Sequence, residues 1–198
     1  WELAADEELP LPDSLQALIA ARLDLLPAGT RSLLAHGSVV GKVFWAGAIA
    51  AMAGRDADSV RDELDVLIEK EMLRRARHSS MAGEVEYVFW HALVRDVVYA
   101  QLPRRDRAER HTSAARWIET ASKDHLEDVA GVLAYHHSTA VELFRAAGLN
   151  DAAAEAAGQA LTYLVLAGEA ALHVDTTAAF SYMQRALELA PVGHPERP

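Results

Sequence analysis

Apolar residues recur every three or four positions in the first third of the chain, which is the spacing of helices with one buried face. The first predicted helix runs from Asp13 or Ser14 to about Leu26, and Pro27 and Gly29 break it. Three further helices are predicted over about residues 30–40, 45–53 and 58–71. The last of these buries a stripe formed by Val60, Leu64, Leu67 and Ile68.

The hydrophobic period changes from helical to alternating after residue 71. Residues 72–78 and 84–90 predict two strands of a hairpin, with turn residues at 79–83. On the second strand Glu84 and Glu86 point away from the apolar face, which is formed by Val85, Tyr87 and Phe89. Helices followed by such a hairpin have the element order of a winged helix, in which the hairpin is the wing and the helix before it is the recognition helix.

The helical period returns after the hairpin and continues to the end of the chain. Helices are predicted over residues 91–102, 104–122, 126–147, 151–172 and 176–190. Helices joined by such short turns are typical of antiparallel hairpins that stack into a solenoid. The last pair resembles a tetratricopeptide repeat at the following positions: Leu164, Ala167, Gly168, Ala171, Ala179, Met183, Ala186 and Pro191. The small residues among them allow two helices to approach closely, and the proline ends the second helix.

These patterns predict a mainly α protein with three parts. Residues 1–13 contain prolines beside an acidic run and are expected to be a linker from a missing upstream domain. Residues 14–102 are expected to form a winged-helix domain, and residues 103–198 a helical-repeat domain. The 39 alanines among 198 residues support this, because alanine has the highest helix propensity.

Charge is unevenly distributed around the formal net charge of -10. Residues 72–117 carry nine bases and five acids, whereas both flanking segments are acidic. A basic segment of this kind is typical of an anion or nucleic-acid face, of a solvated helix face or of a surface that docks on an acidic neighbour. The candidate anion or nucleic-acid face consists of Arg74, Arg75, Arg77, Arg104, Arg105, Arg107 and Arg110.

Standard winged-helix binding to DNA is not expected, because the predicted recognition helix over residues 58–71 carries six acids and only two bases. Each of its carboxylates would repel a phosphate. Binding to DNA through the arginines outside this helix stays open as an alternative.

Several kinds of chemistry have no support in the sequence. The absence of cysteine excludes disulfides, thiolate metal sites and a cysteine nucleophile. The segment around Gly37, Gly41 and Lys42 is not a phosphate-binding loop, because its glycines are one residue too close. His136 and His137 point about 100° apart on a helix, so we expect one to be buried, the other to face solvent, and neither to bind metal. No catalytic residue, metal or cofactor is therefore expected in this chain.

The longest uncharged stretches fall short of the roughly 20 residues that a membrane span requires. Together with the absence of cysteine, this leads us to expect a cytoplasmic protein with no membrane partner.

Two segments resemble a known family. Residues 14–27 resemble the segment after the ATPase domain in STAND proteins, which are multidomain signal-transduction ATPases that include adenylate cyclase-linked proteins and large LuxR-type regulators. The run Phe89-Trp90-His91-Ala92-Leu93-Val94-Arg95-Asp96 is similar to the motif that closes the winged helix in this family. The resemblance covers most of residues 1–120 and implies a winged helix followed by a tetratricopeptide array.

The resemblance implies a nucleotide-sensing role for His91 and Arg95 in the parent protein. In the related NB-ARC branch, a Met-His-Asp motif at this place brings a histidine to the β-phosphate of ADP. Here Trp90 replaces the methionine and Ala92 the aspartate. His91 is therefore expected either to contact phosphate or to cap its helix and fill the junction, and Arg95 either to support an anion or to pair with a nearby acid.

The leading hypothesis is a non-catalytic regulatory segment of a STAND-type ATPase, whose ATP or ADP is held by the missing upstream domain. The winged helix would dock on that module, and the repeats would sense a protein or small-molecule inducer. One alternative is a DNA-binding regulator with a helical dimerisation tail, and another is a helical-repeat scaffold for protein interaction.

Overall fold

A computed structural model describes the backbone of residues 13–190 and the side chains of residues 15–190. The predicted linker and the end of the predicted repeat domain, including Pro191, lie outside these residues. The described part is mainly helical, with a small antiparallel sheet. Its elements in chain order are α1 (Asp13–Asp24), α2 (Ala28–Val40), β1 (Val43–Trp45), α3 (Ala46–Ala53), α4 (Ala57–Glu69), β2 (Leu73–Arg75), β3 (Glu86–Phe89), α5 (Ala92–Ala100), α6 (Arg104–Ala121), α7 (Leu126–Ala146), α8 (Asn150–Ala171) and α9 (Thr176–Leu189).

The sheet has three strands in the order β1-β3-β2. It contains the two strands of the predicted hairpin, β2 and β3, and one further strand, β1, which was not predicted. Val88 of β3 lies opposite Val43 of β1 and Arg74 of β2. The sequence did not predict β1, because a three-residue strand is too short to show alternation. β1 forms only because its partner strand arrives from more than forty residues later in the chain.

The two glutamates on the second strand of the predicted hairpin have different surroundings. Glu86 is buried, and its carboxylate accepts hydrogen bonds from the backbone N and the Oγ of Ser80 in the turn. Glu84 accepts a hydrogen bond from the backbone N of Gly47 at 3.0 Å, in the first turn of α3. The alternation did not predict the burial of Glu86, which arises because the turn folds back over it and supplies donors.

The core of the N-terminal part forms between the sheet and the helices around it. The rings of Phe44, Tyr87 and Phe89 are fully buried, and the Phe44 ring contacts both of the others, with centroid separations of 6.0 Å to Tyr87 and 5.4 Å to Phe89. The Phe44 ring presses against α2 at Gly37, where a Cβ atom would lie 3.0 Å from it. Helices α1 and α2 both contact α5, which closes this part of the chain.

Helices α6 to α9 each contact the next one along the chain, and α6 also contacts α2 and α3. The Trp117 ring of α6 stacks on Trp45 at a centroid separation of 5.7 Å. Between α8 and α9 the expected close approach is present, because a Cβ at Gly168 would lie 2.7 Å from the Met183 side chain. Helix α6 is therefore the element that joins the sheet-containing part to the stacked helices.

Within residues 13–190, no helix is both long and apolar enough to cross a membrane.

Candidate functional site

His91 lies directly before α5, at the N-cap position, with extended backbone angles. Its side chain is exposed and makes no capping hydrogen bond. The neighbouring Trp90 is also exposed, with 46% of its surface accessible. The imidazole therefore neither caps the helix nor fills the junction, and it stands at the helix end where an anion is favoured.

Arg95 follows one turn later and is held by contacts within the chain. Its Nε donates a hydrogen bond to the carbonyl oxygen of Ser38 in α2 at 2.9 Å, and its Nη1 pairs with Asp96 at 3.0 Å. The guanidinium carbon also lies 5.1 Å from the centre of the Tyr99 ring. Of the two roles expected from the sequence, the structure shows pairing with a nearby acid, and Arg95 ties α5 to α2.

The seven arginines of the candidate anion face have different surroundings. Arg75 pairs with Asp65 of α4, and Arg105 pairs with Glu109. Arg107 donates to the carbonyl oxygens of Leu102 and Ala100. Three of the seven, Arg74, Arg77 and Arg104, have side chains that make no hydrogen bond or ion pair within the described residues.

Arg110 is the last of the seven, and its Nη1 lies 2.7 Å from the Nδ1 of His36 in α2. Because a guanidinium only donates, the ring nitrogen must accept this hydrogen bond. Burial, and then the Arg110 charge, lowers the pKa of His36 to about 4. A contact between α2 and α6 thus depends on a neutral histidine.

A second buried histidine group lies between α5, α6 and α7. The Nδ1 atoms of His111 and His136 are 2.8 Å apart, and the Tyr99 hydroxyl is 3.0 Å from the His111 Nε2. Burial is the main cause that lowers the pKa of His111 to about 2 and that of His136 to about 4, and the nearby Arg95 charge acts in the same direction. Both rings are therefore neutral at pH 7, and one of them donates its Nδ1 proton to the other.

The prediction that either His136 or His137 faces solvent is wrong, because both are buried. Helix α7 has α6 on one side and α8 on another, so two directions about 100° apart both lead into protein. The His137 ring stacks on Tyr163 of α8 at 5.5 Å, nearly parallel, and its Nε2 lies 3.1 Å from the Glu119 carboxylate.

A groove of about 410 Å³ lies between α6, α7 and α8, and the sequence analysis did not find it. One wall is a polar stripe of α6, formed by Glu109, Thr112, Ser113, Arg116 and Glu119. The other wall is a stripe of α8, formed by Ala152, Glu155, Ala156 and Gln159. His137 and Phe144 of α7 complete the lining. The helical spacing of each stripe is visible in the sequence, but their convergence depends on tertiary packing.

Comparison of the chain with family models, curated proteins and solved structures found no match. Among the residues whose side chains are described, no three histidines or carboxylates are arranged to hold a metal ion.

Proposed function

We propose that this chain is a non-catalytic regulatory segment of a multidomain STAND-type ATPase. A winged helix docks on the nucleotide module, and tetratricopeptide-like repeats respond to an inducer. The ATP or ADP belongs to the upstream module, and His91 reports its state to the rest of the protein.

The element order supports a winged helix in the N-terminal part. In the order α2-β1-α3-α4-β2-β3, the short strand β1 follows the first of three helices, and the hairpin strands β2 and β3 follow the third. The sheet order β1-β3-β2 places the last strand in the centre. In this arrangement α4 occupies the recognition-helix position, and the turn between β2 and β3 is the tip of the wing.

The contacts of α6 to α9 support the repeat assignment. Each of these helices contacts its neighbour in the chain, as in a stack of antiparallel hairpins. Helix α6 also contacts α2 and α3, so the stack and the N-terminal part are joined by direct packing.

The observation that carries the proposal is the environment of His91. Its imidazole is exposed and has no capping role, while Arg95 anchors the same helix through Ser38. A surface histidine on an anchored helix end is suited to donate a hydrogen bond to a phosphate of a docked module. A histidine needed only for folding would instead have partners within the chain.

The first test is to sequence the gene upstream of the Trp1 codon. A Gly-x-x-x-x-Gly-Lys-Ser/Thr loop after a strand supports the proposal, and a start codon directly before Trp1 contradicts it. In the full-length protein, His91→Ala should then accelerate ADP release by about 10-fold or more, as expected for the loss of one hydrogen bond to a charged group. His78→Ala, which changes another exposed histidine, is the matched control. Equal ADP release from the two variants would refute the sensor role.

DNA binding is less well supported. Five acids lie on α4, and four of the seven candidate arginines are engaged within the chain. The three remaining arginines provide the test. If the triple variant Arg74→Ala, Arg77→Ala and Arg104→Ala abolishes a salt-dependent association with duplex DNA, the DNA alternative replaces the proposal.

The scaffold alternative has one specific observation in its favour, the groove between α6, α7 and α8. It predicts ligand binding by the helical repeats with no dependence on nucleotide in the parent protein.

A further inference from the structure

Three buried histidines lie where the N-terminal part of the chain meets the stack of helices α6 to α9. His36 of α2 contacts α6, while His111 of α6 contacts both Tyr99 of α5 and His136 of α7. Each of these two polar groups therefore includes side chains from both parts of the chain. The parts are connected by the short turn between α5 and α6 at residues 101–103. A change in the charge of the histidines would thus act on the boundary between the two parts.

The contact between His36 and α6 requires a neutral histidine. The Nη1 of Arg110 lies 2.7 Å from the Nδ1 of His36, and a guanidinium can only donate. An imidazolium can only donate as well, so protonation of His36 would leave two cations in a buried contact with no hydrogen bond between them. The nearby carboxylates of Asp106 and Glu109 favour the charged form of Arg110. Acid therefore makes this contact repulsive.

The contact between His111 and His136 is also incompatible with protonation. Their Nδ1 atoms are 2.8 Å apart, so one ring must accept the hydrogen bond that the other donates. If the accepting Nδ1 took up a proton, two N–H groups would face each other at this distance. The Nε2 of His136 is buried without a partner among the described residues, so a proton there would have no acceptor. The Nε2 of His111 already contacts the Tyr99 hydroxyl at 3.0 Å.

The surroundings of these two rings also oppose a positive charge. The titratable and charged groups that face them come from α5, α6 and α7 and are Arg95, Tyr99, Arg107, Tyr135 and His137. Within the described residues, no carboxylate forms a hydrogen bond or ion pair with any of the three buried histidines. A charge on one of these rings would therefore stay uncompensated while the boundary is closed.

Separation of the two parts relieves all three histidines without complete unfolding. His36 moves away from Arg110, and His111 and His136 lose the contact with Tyr99 that covers them from α5. Each ring can then take up a proton in water, as it does in the unfolded chain. This opening requires less free energy than unfolding, because the helices and most of the buried clusters within each part are kept.

We propose that the boundary between α6 and the N-terminal part is a proton-operated joint, which opens when His36, His111 and His136 become charged and leaves both parts folded. The turn at residues 101–103 is its hinge. The joint requires neither the upstream module nor His91. It is measured on the 198-residue chain, so its outcome is independent of the ADP-release experiment.

The reaction of an introduced thiol with a dithiodipyridine reagent measures the opening, because the chain has no cysteine of its own. Ala114→Cys places the thiol on α6, at a fully buried position that belongs to the core of the N-terminal part. Ala134→Cys is the matched control on α7, at a buried position inside the stack. Each rate is divided by the rate of the same variant unfolded in urea at the same pH. This ratio corrects for thiol ionisation and gives the open fraction, even where it is small.

The open fraction at Ala114→Cys should increase roughly 1,000- to 10,000-fold from pH 7 to pH 5, because each of the three histidines contributes up to about 30-fold. At pH 5 it should exceed the open fraction at Ala134→Cys by at least about 10-fold, since the interior of the stack becomes accessible only on unfolding. Equal open fractions at the two positions would overturn the proposal, because the chain would then open only by unfolding. An increase below about 10-fold at Ala114→Cys would overturn it as well.

The first variant tests the contact between α2 and α6. In the Ala114→Cys chain, His36→Gln keeps an acceptor for Arg110 but does not titrate in this range. It should make the increase in open fraction about 30-fold smaller. His125→Gln makes the same change at an exposed histidine and should leave the increase unchanged. Identical pH dependence in these two variants would contradict the role of His36 in the joint.

The second variant tests the other histidine group in the same labelling experiment. It combines Tyr99→Phe, His111→Leu and His136→Leu, which replaces every member of that group by an apolar side chain. The increase in open fraction from pH 7 to pH 5 should then fall to about 30-fold, the part that is due to His36. If the full increase remained, these histidines would not operate the joint and the proposal would be wrong.

Discussion

Mild acid should destabilise this protein strongly, because three buried histidines stay neutral in the folded state. Burial lowers the pKa of His36 and His136 to about 4 and that of His111 to about 2, below the ordinary value of 6.5. As pH falls below 6.5, the unfolded chain takes up protons that the folded chain cannot accept. The free energy of unfolding therefore decreases from pH 6.5 down to about pH 4. The stability that comes from keeping these three histidines neutral is fully present only above about pH 6.5.

The magnitude follows from the size of the shifts. At pH 5 each histidine lies about 1.5 units below its unfolded pKa, which corresponds to about 2 kcal/mol. For the three histidines together, the free energy of unfolding should decrease by roughly 5–6 kcal/mol between pH 7 and pH 5. This decrease is comparable with the entire stability of many domains. The groups facing these rings oppose protonation, since Arg110 contacts His36, and Arg95 and Arg107 lie near His111.

Urea unfolding followed by far-ultraviolet circular dichroism at pH 7, 6 and 5 measures this loss. The variant with Tyr99→Phe, His111→Leu and His136→Leu replaces one whole polar group by apolar side chains, so no partner is left unpaired. The free energy of unfolding of this variant should decrease by only about 2 kcal/mol between pH 7 and pH 5, which is the contribution of His36 alone.

The control is His125→Gln, which changes an exposed histidine. The stability of this variant should keep the full pH dependence of the original chain. If the free energy of unfolding of the original chain decreased by less than about 1 kcal/mol between pH 7 and pH 5, the reasoning would be refuted. So would an unchanged loss in the variant that lacks His111 and His136.

Other predictions concern single side chains, and the same urea assay checks each of them. Gly37→Ala should destabilise by about 1–3 kcal/mol, because its Cβ would press on the buried Phe44 ring. Gly158 lies in the middle of α8 with open space around it, so Gly158→Ala should stabilise the protein by about 0.5–1 kcal/mol, because glycine is unfavourable inside a helix. A decrease in stability would contradict this prediction. Glu84→Ala should cost about 1 kcal/mol by removing the acceptor for the Gly47 N–H. Gly47→Ala displaces the same Glu84 carboxylate. The double variant with Gly47→Ala and Glu84→Ala should therefore lose less stability than the sum of the losses in the two single variants.

The long helices were predictable from the sequence because their signals are local. Helix α7 was predicted over residues 126–147 and is observed at Leu126–Ala146. Its ends are set by turn residues that precede and follow it in the chain. Helical periodicity also marked Leu64 and Leu67 of α4 as buried, and both are fully inaccessible.

Strand β1 and the environment of Glu86 could not be predicted in this way. Three residues carry no periodic signal, and β1 exists because Val88 pairs with Val43 across a long separation in the chain. The alternation assigns Glu86 to the face opposite Tyr87 and Phe89, and its burial there depends on Ser80 in the turn, which provides two donors. In both cases the deciding partner is distant or lies in an irregular turn.

For the candidate sites, the sequence identified which residue types were present but not which of them meet. It marked His91 and Arg95 through a resemblance, and the structure then distinguished an exposed imidazole from an arginine engaged with Ser38 and Asp96. It treated seven arginines as one face, whereas four of them have partners in the chain. The groove depends on stripes of two helices that are not adjacent in sequence.

The amino-acid sequence by itself determined the mainly helical character, the positions of the long helices and the absence of cysteine chemistry. These follow from composition and from periodicities over a few residues, which act within each segment. Only the tertiary structure decided that His136 and His137 are both buried, that Glu119 faces His137, and that the groove opens between α6 and α8. A helix presents several faces of similar polarity, and the burial of each is decided by neighbours that packing brings from elsewhere in the chain.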